Sequence, residues 1–174
     1  MNRATQAALF GDEPTAVFSP CGRYRYGLTW PVGSGEGTWL SISINPSTAT
    51  AEKPDPTIRK DIGFARRHGC ARVSKLNLFG FRSTDPMGLL SVDDPNGEGN
   101  DAEIRRVLAQ RPRFVVCAWG TWSGRVGKLV AARVPQVVAM IREAGIKPFC
   151  LGRTADGSPC HPLMLAYATL LEPF

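Results

Sequence analysis

The stretch TWLSISINPS, residues 38–47, decides the fold. TWLSISI is typical of an inner strand, and a polar turn formed by Asn45, Pro46 and Ser47 follows it at once. Three later apolar runs also end in polar or glycine residues: VSKLNLFG at 73–80, FVVCAWG at 114–120, and PFCLG at 148–152, which leads into RTADGSPCHPL at 153–163. The chain therefore carries four strand-like runs, each with polar groups at its carboxyl end.

Helical patterns separate these runs. Residues 56–68 place apolar side chains at helical spacing, Asn100 or Asp101 is suited to cap AEIRRVLAQ, and residues 124–145 form a long helical stretch interrupted at Pro135. Since strands alternate with helices, we expect a three-layer α/β/α domain with a mainly parallel central sheet.

The amino-terminal part has a different character. Residues 1–14 predict a flexible leader, and AVFSP and GRYRYGLTW predict two strands joined by a turn at residues 20–22. A chain of 174 residues with 43% apolar residues is long enough for one domain with a core, and we assign residues 15–174 to a single α/β domain.

Charge and hydropathy limit the function classes. The chain has a net charge of +6, which favours an acidic partner such as nucleic acid, although many basic proteins bind none. The amino-terminal residues MNRATQAALFGDEP contain no apolar run long enough for a signal peptide, and no segment approaches the roughly 20 apolar residues of a membrane helix. We expect a soluble cytoplasmic monomer without membrane contact.

The five cysteines form no CxxC pair. Cys117 and Cys150 lie inside apolar runs, where a free thiol behaves as a small buried apolar group. The absence of local pairs disfavours an iron–sulfur cluster, and a reducing cytoplasm accounts for free thiols. We expect no metal and no cofactor.

Four side chains stand at or just beyond the ends of the four runs. In an open α/β sheet, ligands bind in the crevice outside the carboxyl ends of the strands. Asn45, Asn77, Trp119 and His161 are therefore expected to converge on one cavity.

Several motifs together resemble a bacterial and phage family, domain of unknown function 1643. The motifs are CGRYRY, INPSTAT, DPTIRK, NLFGFRSTDP, WG and GSPCHPL, and the resemblance covers most of the chain, from Cys21 to Leu165. This resemblance implies no reaction.

A more distant resemblance is to the uracil-DNA glycosylase superfamily, through INPS, KLNLF, CAWG and CHPL in that order. It implies that Asn45 positions a water, as the equivalent Asn does in the mismatch glycosylases of this superfamily. The uracil-specific members have an Asp at this position instead. Asp55 could supply a carboxylate if its loop folds back, but a helix cap before Pro56 is the favoured interpretation. His161 would stabilise charge on the departing base.

The same resemblance makes Asn77 the reader of the base. Its amide has one acceptor and two donors, which match the edge of a uracil-like base. Phe64 or Phe79 could stack on the extruded base, with Trp119 beside it, although phenylalanines fill cores before they fill sites.

Polar groups near the strand ends are suited to contact the DNA backbone. We assign this role to Ser47, Arg82, Ser123, Arg125, Lys128 and Arg153. A helix amino terminus near Ser123 would add free N–H groups. A second basic group lies at a helix end and could be only a solvated face: Arg66, Arg67, Arg72 and Lys75.

We therefore expect a monofunctional glycosylase that releases a modified or damaged base, in the first place a pyrimidine, flipped out of DNA. The DNA could be single-stranded or modified, and the preference for single or double strands stays open. Leu163 stands where the superfamily has the serine that grips the DNA backbone, which implies weaker gripping or another substrate. A non-catalytic reader of modified nucleic acid and a hydrolase of free nucleotides or nucleosides are the alternatives. The base, and a setting in repair or in phage biology, stay open.

Overall fold

The computed structural model describes residues 13–47 and 50–174, which form seven strands and three α-helices. Most of the expected leader 1–14, and two residues of INPSTAT, lie outside the described residues. The strands are β1 Thr15–Phe18, β2 Arg25–Pro31, β3 Thr38–Ser43, β4 Arg72–Asn77, β5 Phe114–Cys117, β6 Phe149–Cys150 and β7 Glu172–Pro173. The helices are α1 Pro56–Arg67, α2 Asn100–Ala109, α3 Gly124–Glu143 and the short 3₁₀ helices Pro86–Ser91 and Pro162–Met164.

The sheet is mixed. Its order is β1-β2-β4-β3-β5-β6-β7, and the four inner strands β4, β3, β5 and β6 are parallel. The expectation of a mainly parallel sheet is wrong for the flanks, where β1–β2, β2–β4 and β6–β7 pair antiparallel. A tight turn at Gly22, with φ of 70°, joins β1 to β2, and so short a connection permits only antiparallel pairing. The coarser expectation of an α/β fold is confirmed.

Helices cover both faces of the sheet. On one face, Leu40, Ile42 and Cys117 pack in a core with apolar side chains of α2 and α3. On the other face, Trp39, Val73 and Val116 pack with Phe64 and Ala65 of α1. The alternation of β3, β4 and β5 between these cores follows from the two-residue period of a strand buried on both sides.

The face that α1 covers changes from apolar to polar along the strands. Trp39 pairs with Val73, then Ser41 with Lys75, and finally Ser43 with Asn77 at the carboxyl ends. All of these side chains are buried. Polar groups are therefore concentrated beneath the carboxyl edge of the parallel strands.

The helix ends agree only partly with the sequence. Asp55 caps α1 by accepting from the Ile58 N–H at 2.8 Å, and Pro56 fills the first turn, as the favoured interpretation predicted. α2 begins at Asn100, so the cap position is Gly99 rather than Asn100 or Asp101. α3 runs without interruption through Pro135, which corrects the expected break.

The chain order creates a switch point at β3. The connection from β3 leads to β4 on one side, whereas β5 lies on the other side of β3. The two connections diverge there and leave a crevice above the carboxyl ends of the strands. Among the described residues, no helix is long and apolar enough to span a membrane.

Candidate functional site

A cavity of about 630 Å³ opens at this carboxyl edge. Asn45, Asn77, Trp119 and His161 all line it, so the expected convergence of the four strand-end residues is present. Further polar lining comes from Arg25, Ser43, Ser47, Asp55, Thr57, Lys75, Ser83, Thr84, Thr121, Thr154 and Cys160. The volume falls within the range of about 300–1,000 Å³ that is usual for small-molecule sites.

The Asn45 amide nitrogen holds two neighbouring loops in place. It donates to Pro46 O at 3.1 Å and to Ser83 O at 2.7 Å, which uses both of its N–H groups. Within residues 13–47 and 50–174, the structure shows no donor to Asn45 Oδ1. The side chain is thus fixed while its carbonyl oxygen keeps its capacity to accept.

Asn77 is almost completely buried at the end of β4, at 1% exposure. In the amide orientation that satisfies its surroundings, the nitrogen donates to Asn45 O and Leu76 O, each at 3.2 Å. Both amide donors are then used by the backbone. What Asn77 can offer a ligand is an acceptor, which suits a ring N–H or an exocyclic amine.

His161 lies at the amino end of the second 3₁₀ helix. Its Nδ1 accepts from the Leu163 N–H at 3.4 Å, so the ring proton belongs on Nε2. Burial, and then the Lys75 ammonium, lower the pKa of His161 to about 4 against the opposing carboxylates of Asp61 and Asp55. The imidazole is therefore neutral at pH 7 and presents a single N–H donor.

Gly120 brings the loop after β5 close to the His161 loop. Its φ of 73° is in the left-handed region, and a β-carbon there would lie 3.7 Å from His161 Cβ. Its N–H donates to Pro159 O at 3.0 Å, which ties the two loops together.

Two tryptophans line the cavity. Trp119 is buried and packs edge-on against Phe174, while Trp122 is exposed.

A buried ion pair lies beneath the cavity. Lys75 Nζ, on β4, donates to Asp61 Oδ2 of α1 at 2.8 Å and to Ser41 Oγ of β3 at 2.9 Å. Lys75 and Asp61 are 4% and 1% exposed. Lys75 lines the cavity, so the assignment of this lysine to a solvated face is wrong: its position in the alternating strand points it under α1.

Asp55 lies at the cavity wall but is fully engaged. Oδ1 caps α1, and Oδ2 accepts from Ser47 Oγ at 2.9 Å. Ser47 also lines the cavity. The structure thus favours Asp55 as a structural cap rather than as a carboxylate that activates water.

The two phenylalanines expected to stack on a base lie elsewhere. Phe64 is 0% exposed and stacks on Trp39 with ring centroids 6.0 Å apart, and Phe79 is 3% exposed in the opposite core. Neither lines the cavity. This corrects both assignments, because each ring already has a packed apolar environment. Of the two tryptophans that line the cavity, Trp119 is buried and Trp122 is exposed.

The side chains expected to contact a DNA backbone lie in several different places. Ser123, Arg125 and Lys128 lie at the start of α3, directly after cavity residues 121 and 122. Arg153, by contrast, donates to Gly157 O and Pro173 O, pairs with Glu172 at 3.6 Å, and covers the Phe174 ring. Its guanidinium holds the carboxyl terminus, which corrects its assignment. Arg82 lies beside a smaller neighbouring cavity.

Sequence reasoning missed Lys75, Asp61, Arg25 and Trp122 as parts of the site. Lys75 had a usable signal, since it is the one charged residue within VSKLNLF. Asp61 had one too, because it lies one helical turn from buried Ile58 on the apolar stripe of α1. Burial lowers the pKa of Arg25 to about 10, partly offset by Asp55, which leaves Arg25 cationic at the cavity wall.

Comparisons with known proteins bear on identity through the family alone. Searches of curated proteins and of solved structures found no match. Residues 25–163 match the family described as "Protein of unknown function (DUF1643)", and this range contains Asn45, Asn77, Trp119 and His161. Because the match covers most of the chain, this protein belongs to the DUF1643 family.

Proposed function

We propose that the protein hydrolyses the N-glycosidic bond of a modified or damaged base, preferably a pyrimidine, flipped out of DNA. One observation carries the proposal: Asn45, Asn77, Trp119 and His161 meet in one cavity above the parallel strands. The motifs that resemble the uracil-DNA glycosylase superfamily are the segments that contribute these four side chains. A site of this size suits one extruded nucleobase.

Asn45 is the group that positions the attacking water. Its nitrogen is held by Pro46 O and Ser83 O, so Oδ1 has a fixed place and needs no rearrangement to accept a hydrogen bond from the water. A pre-organised acceptor contributes without the entropy of ordering a mobile side chain. Hydrolysis then joins the water oxygen to C1′ and leaves the electron pair of the broken bond on the base. The water keeps one proton as the C1′ hydroxyl, and the other proton ends on the departed base.

His161 stabilises that charge. A neutral imidazole with its proton on Nε2 donates to an oxygen of the departing base, and the hydrogen bond strengthens as negative charge develops there. The buried Lys75 ammonium lines the same cavity wall, with Asp61 as its counter-ion. Asn77 Oδ1 accepts from the base edge and helps to orient it.

The second candidate function is a non-catalytic reader of modified nucleic acid. It is supported by the way in which the carboxylates nearest the cavity are engaged by protein groups. Both oxygens of Asp55 have partners, and Asp61 lies behind Lys75 in an ion pair. Neither is placed as a general base for water. In a reader, the same cavity would hold the flipped base and release nothing.

Release of bases from DNA separates the two candidates. The protein is incubated with DNAs carrying natural and modified pyrimidines, and mass spectrometry identifies any free base. With a DNA from which a base is released, His161→Ala should slow single-turnover release by roughly 10²-fold and leave DNA affinity almost unchanged, because the hydrogen bond from His161 matters mainly in the transition state. Asn45→Ala should do likewise through the water.

His68→Gln is the matched control, since His68 packs against Trp39 and Phe114 outside the cavity. It should release bases at the wild-type rate. Tight binding of a modified DNA with no base released over hours would establish the reader instead. Loss of binding in step with activity in His161→Ala would remove His161 from the chemistry.

A further inference from the structure

A second, smaller cavity of about 360 Å³ adjoins the main one. We call it the annex. It shares Ser47, Ser83 and Thr84 with the main cavity, so the two are separated by a single wall. Its other lining residues are Gly22, Arg23, Phe81 and Arg82.

The annex has a rigid frame. Tyr24 and Phe81 form an antiparallel bridge, the Arg82 N–H donates to Arg23 O at 3.0 Å, and the Arg25 N–H donates to Gly80 O at 2.9 Å. These backbone bonds join the turn after β1 to the loop after β4. The two arginines that line the annex are thus held side by side on paired backbone.

Aromatic rings support both guanidinium groups. Arg23 lies over Phe81 at 5.6 Å from the ring centroid, and Arg82 lies over Phe18 at 5.1 Å. Stacking of this kind orients the planar group while its N–H edge stays able to donate. An anion therefore meets donors that are already in position.

The charge of the annex is positive and incompletely paired. Of the described residues that line it, none is acidic. Asp55, which contacts the shared wall, binds Ser47 and caps α1. Arg82 donates through Nη1 to Gly22 O at 3.1 Å, whereas its buried Nε has no hydrogen-bond partner among the described residues.

We propose that the annex binds a phosphodiester group of the nucleotide next to the one held in the main cavity. Arginine is suited to this because its forked donors match two phosphate oxygens. The hydroxyls of Ser47 and Ser83 donate to protein acceptors, so the guanidinium groups provide the recognition. The inference rests on the proposed function and deepens it, because it assigns the residues that hold the phosphate beside the flipped nucleotide, a contact that a free nucleoside would lack.

The probe is a short single-stranded oligonucleotide with a central tetrahydrofuran abasic analogue, which needs no knowledge of the base. Two further probes carry an uncharged methylphosphonate in place of the phosphate on one or the other side of the analogue. Wild-type protein should bind one of these about tenfold more weakly than the parent, the loss expected for a charged hydrogen bond. Arg23→Gln should bind that probe and the parent equally.

Arg142→Gln is the matched control, since Arg142 is exposed in the last turn of α3, away from both cavities. It should keep the full tenfold discrimination. Thermal unfolding of Arg23→Gln should match wild type, because Arg23 is exposed. An equal effect of the methylphosphonate in wild type and Arg23→Gln would overturn the inference, and so would failure of the parent oligonucleotide to bind at low salt.

The result is separable from the proposed function. If wild type released bases but bound the parent and both methylphosphonate probes equally, the glycosylase proposal would be retained and the phosphate site in the annex would be rejected. If Arg23 were needed for the weaker binding of the uncharged probe but no base were released, the phosphate site in the annex would be retained. The protein would then be a non-catalytic reader of nucleic acid.

Discussion

The floor and the rim of the main cavity are built in opposite ways. The floor consists of Ser41, Lys75 and Asn77 of the sheet and Asp61 of α1, which are all buried between the sheet and this helix. The rim consists of Trp122, Arg125 and Lys128, which surround the start of α3 and reach solvent. Floor energies are governed by desolvation and close pairing, whereas rim energies are screened by water and salt. Changes in the floor should therefore alter folding and chemistry, and changes in the rim should alter affinity.

The largest effect is expected from breaking the floor's ion pair. Lys75→Met should lower the free energy of unfolding by about 3–5 kcal/mol, because it leaves the Asp61 carboxylate buried without its cation. The double variant Lys75→Met with Asp61→Leu should recover most of that loss, since two apolar side chains need no partner. Urea unfolding of the single and double variants measures both quantities.

Arg105→Met is a suitable comparison, because Arg105 pairs with Glu143 at 2.7 Å while both side chains are more than half exposed. Its effect should stay below about 1 kcal/mol. If Lys75→Met and Asp61→Leu had additive effects, the pair would not be a coupled unit, and the contrast between floor and rim would lose its physical basis.

An intermediate effect is expected from acid. The folded-state pKa of His161, about 4, lies below the ordinary value of 6.5, so between these values the unfolded chain binds a proton that the folded chain does not. The resulting stability is present above pH 6.5 and is lost as the pH falls towards 4. Wild type should therefore lose about 2 kcal/mol more than His161→Gln between roughly pH 7 and pH 4.5.

Chemical unfolding at the two pH values tests this. His68→Gln provides the comparison, since burial, followed by Arg113, also lowers the pKa of His68, and its contribution has the same sign. It should remove less of the acid sensitivity than His161→Gln does. Equal acid sensitivity in wild type and His161→Gln would show that the imidazole is not kept neutral by its surroundings.

The smallest effects are expected at the rim. Arg125→Ala and Lys128→Ala together should weaken DNA binding and reduce the slope of log affinity against log salt by about one unit for each phosphate that the variant no longer neutralises. Stability should be almost unchanged, because both side chains reach solvent. Binding measured across a salt series gives the slope.

Arg142→Ala with Lys147→Ala is the matched control, because it removes the same charge at the opposite end of α3. Its slope should equal that of wild type. A similar loss of affinity in both double variants would indicate a response to net charge alone, without binding at the cavity rim.

Prediction from sequence succeeded where the controlling interactions are local. The start of α1 followed from Asp55 and Pro56, which act within one helical turn. The convergence of Asn45 and Asn77 followed from their positions at strand ends. The mixed sheet was missed because the residues of a strand do not determine which edge of the sheet that strand will join. The continuity of α3 through Pro135 was missed because packing of the apolar face of this helix outweighs the loss of one hydrogen bond.

The sequence by itself determined which residues stand at the carboxyl ends of the parallel strands, because strand period, turns and caps act over a few neighbouring residues. Only the tertiary structure decided the use of each side chain. Lys75 finds Asp61 across 14 positions of the chain, Arg153 is held by the carboxyl-terminal strand, and Phe64 lies against Trp39. The partners of a charge or a ring are set by how α1 and the strands pack, and that information is distributed over the whole fold.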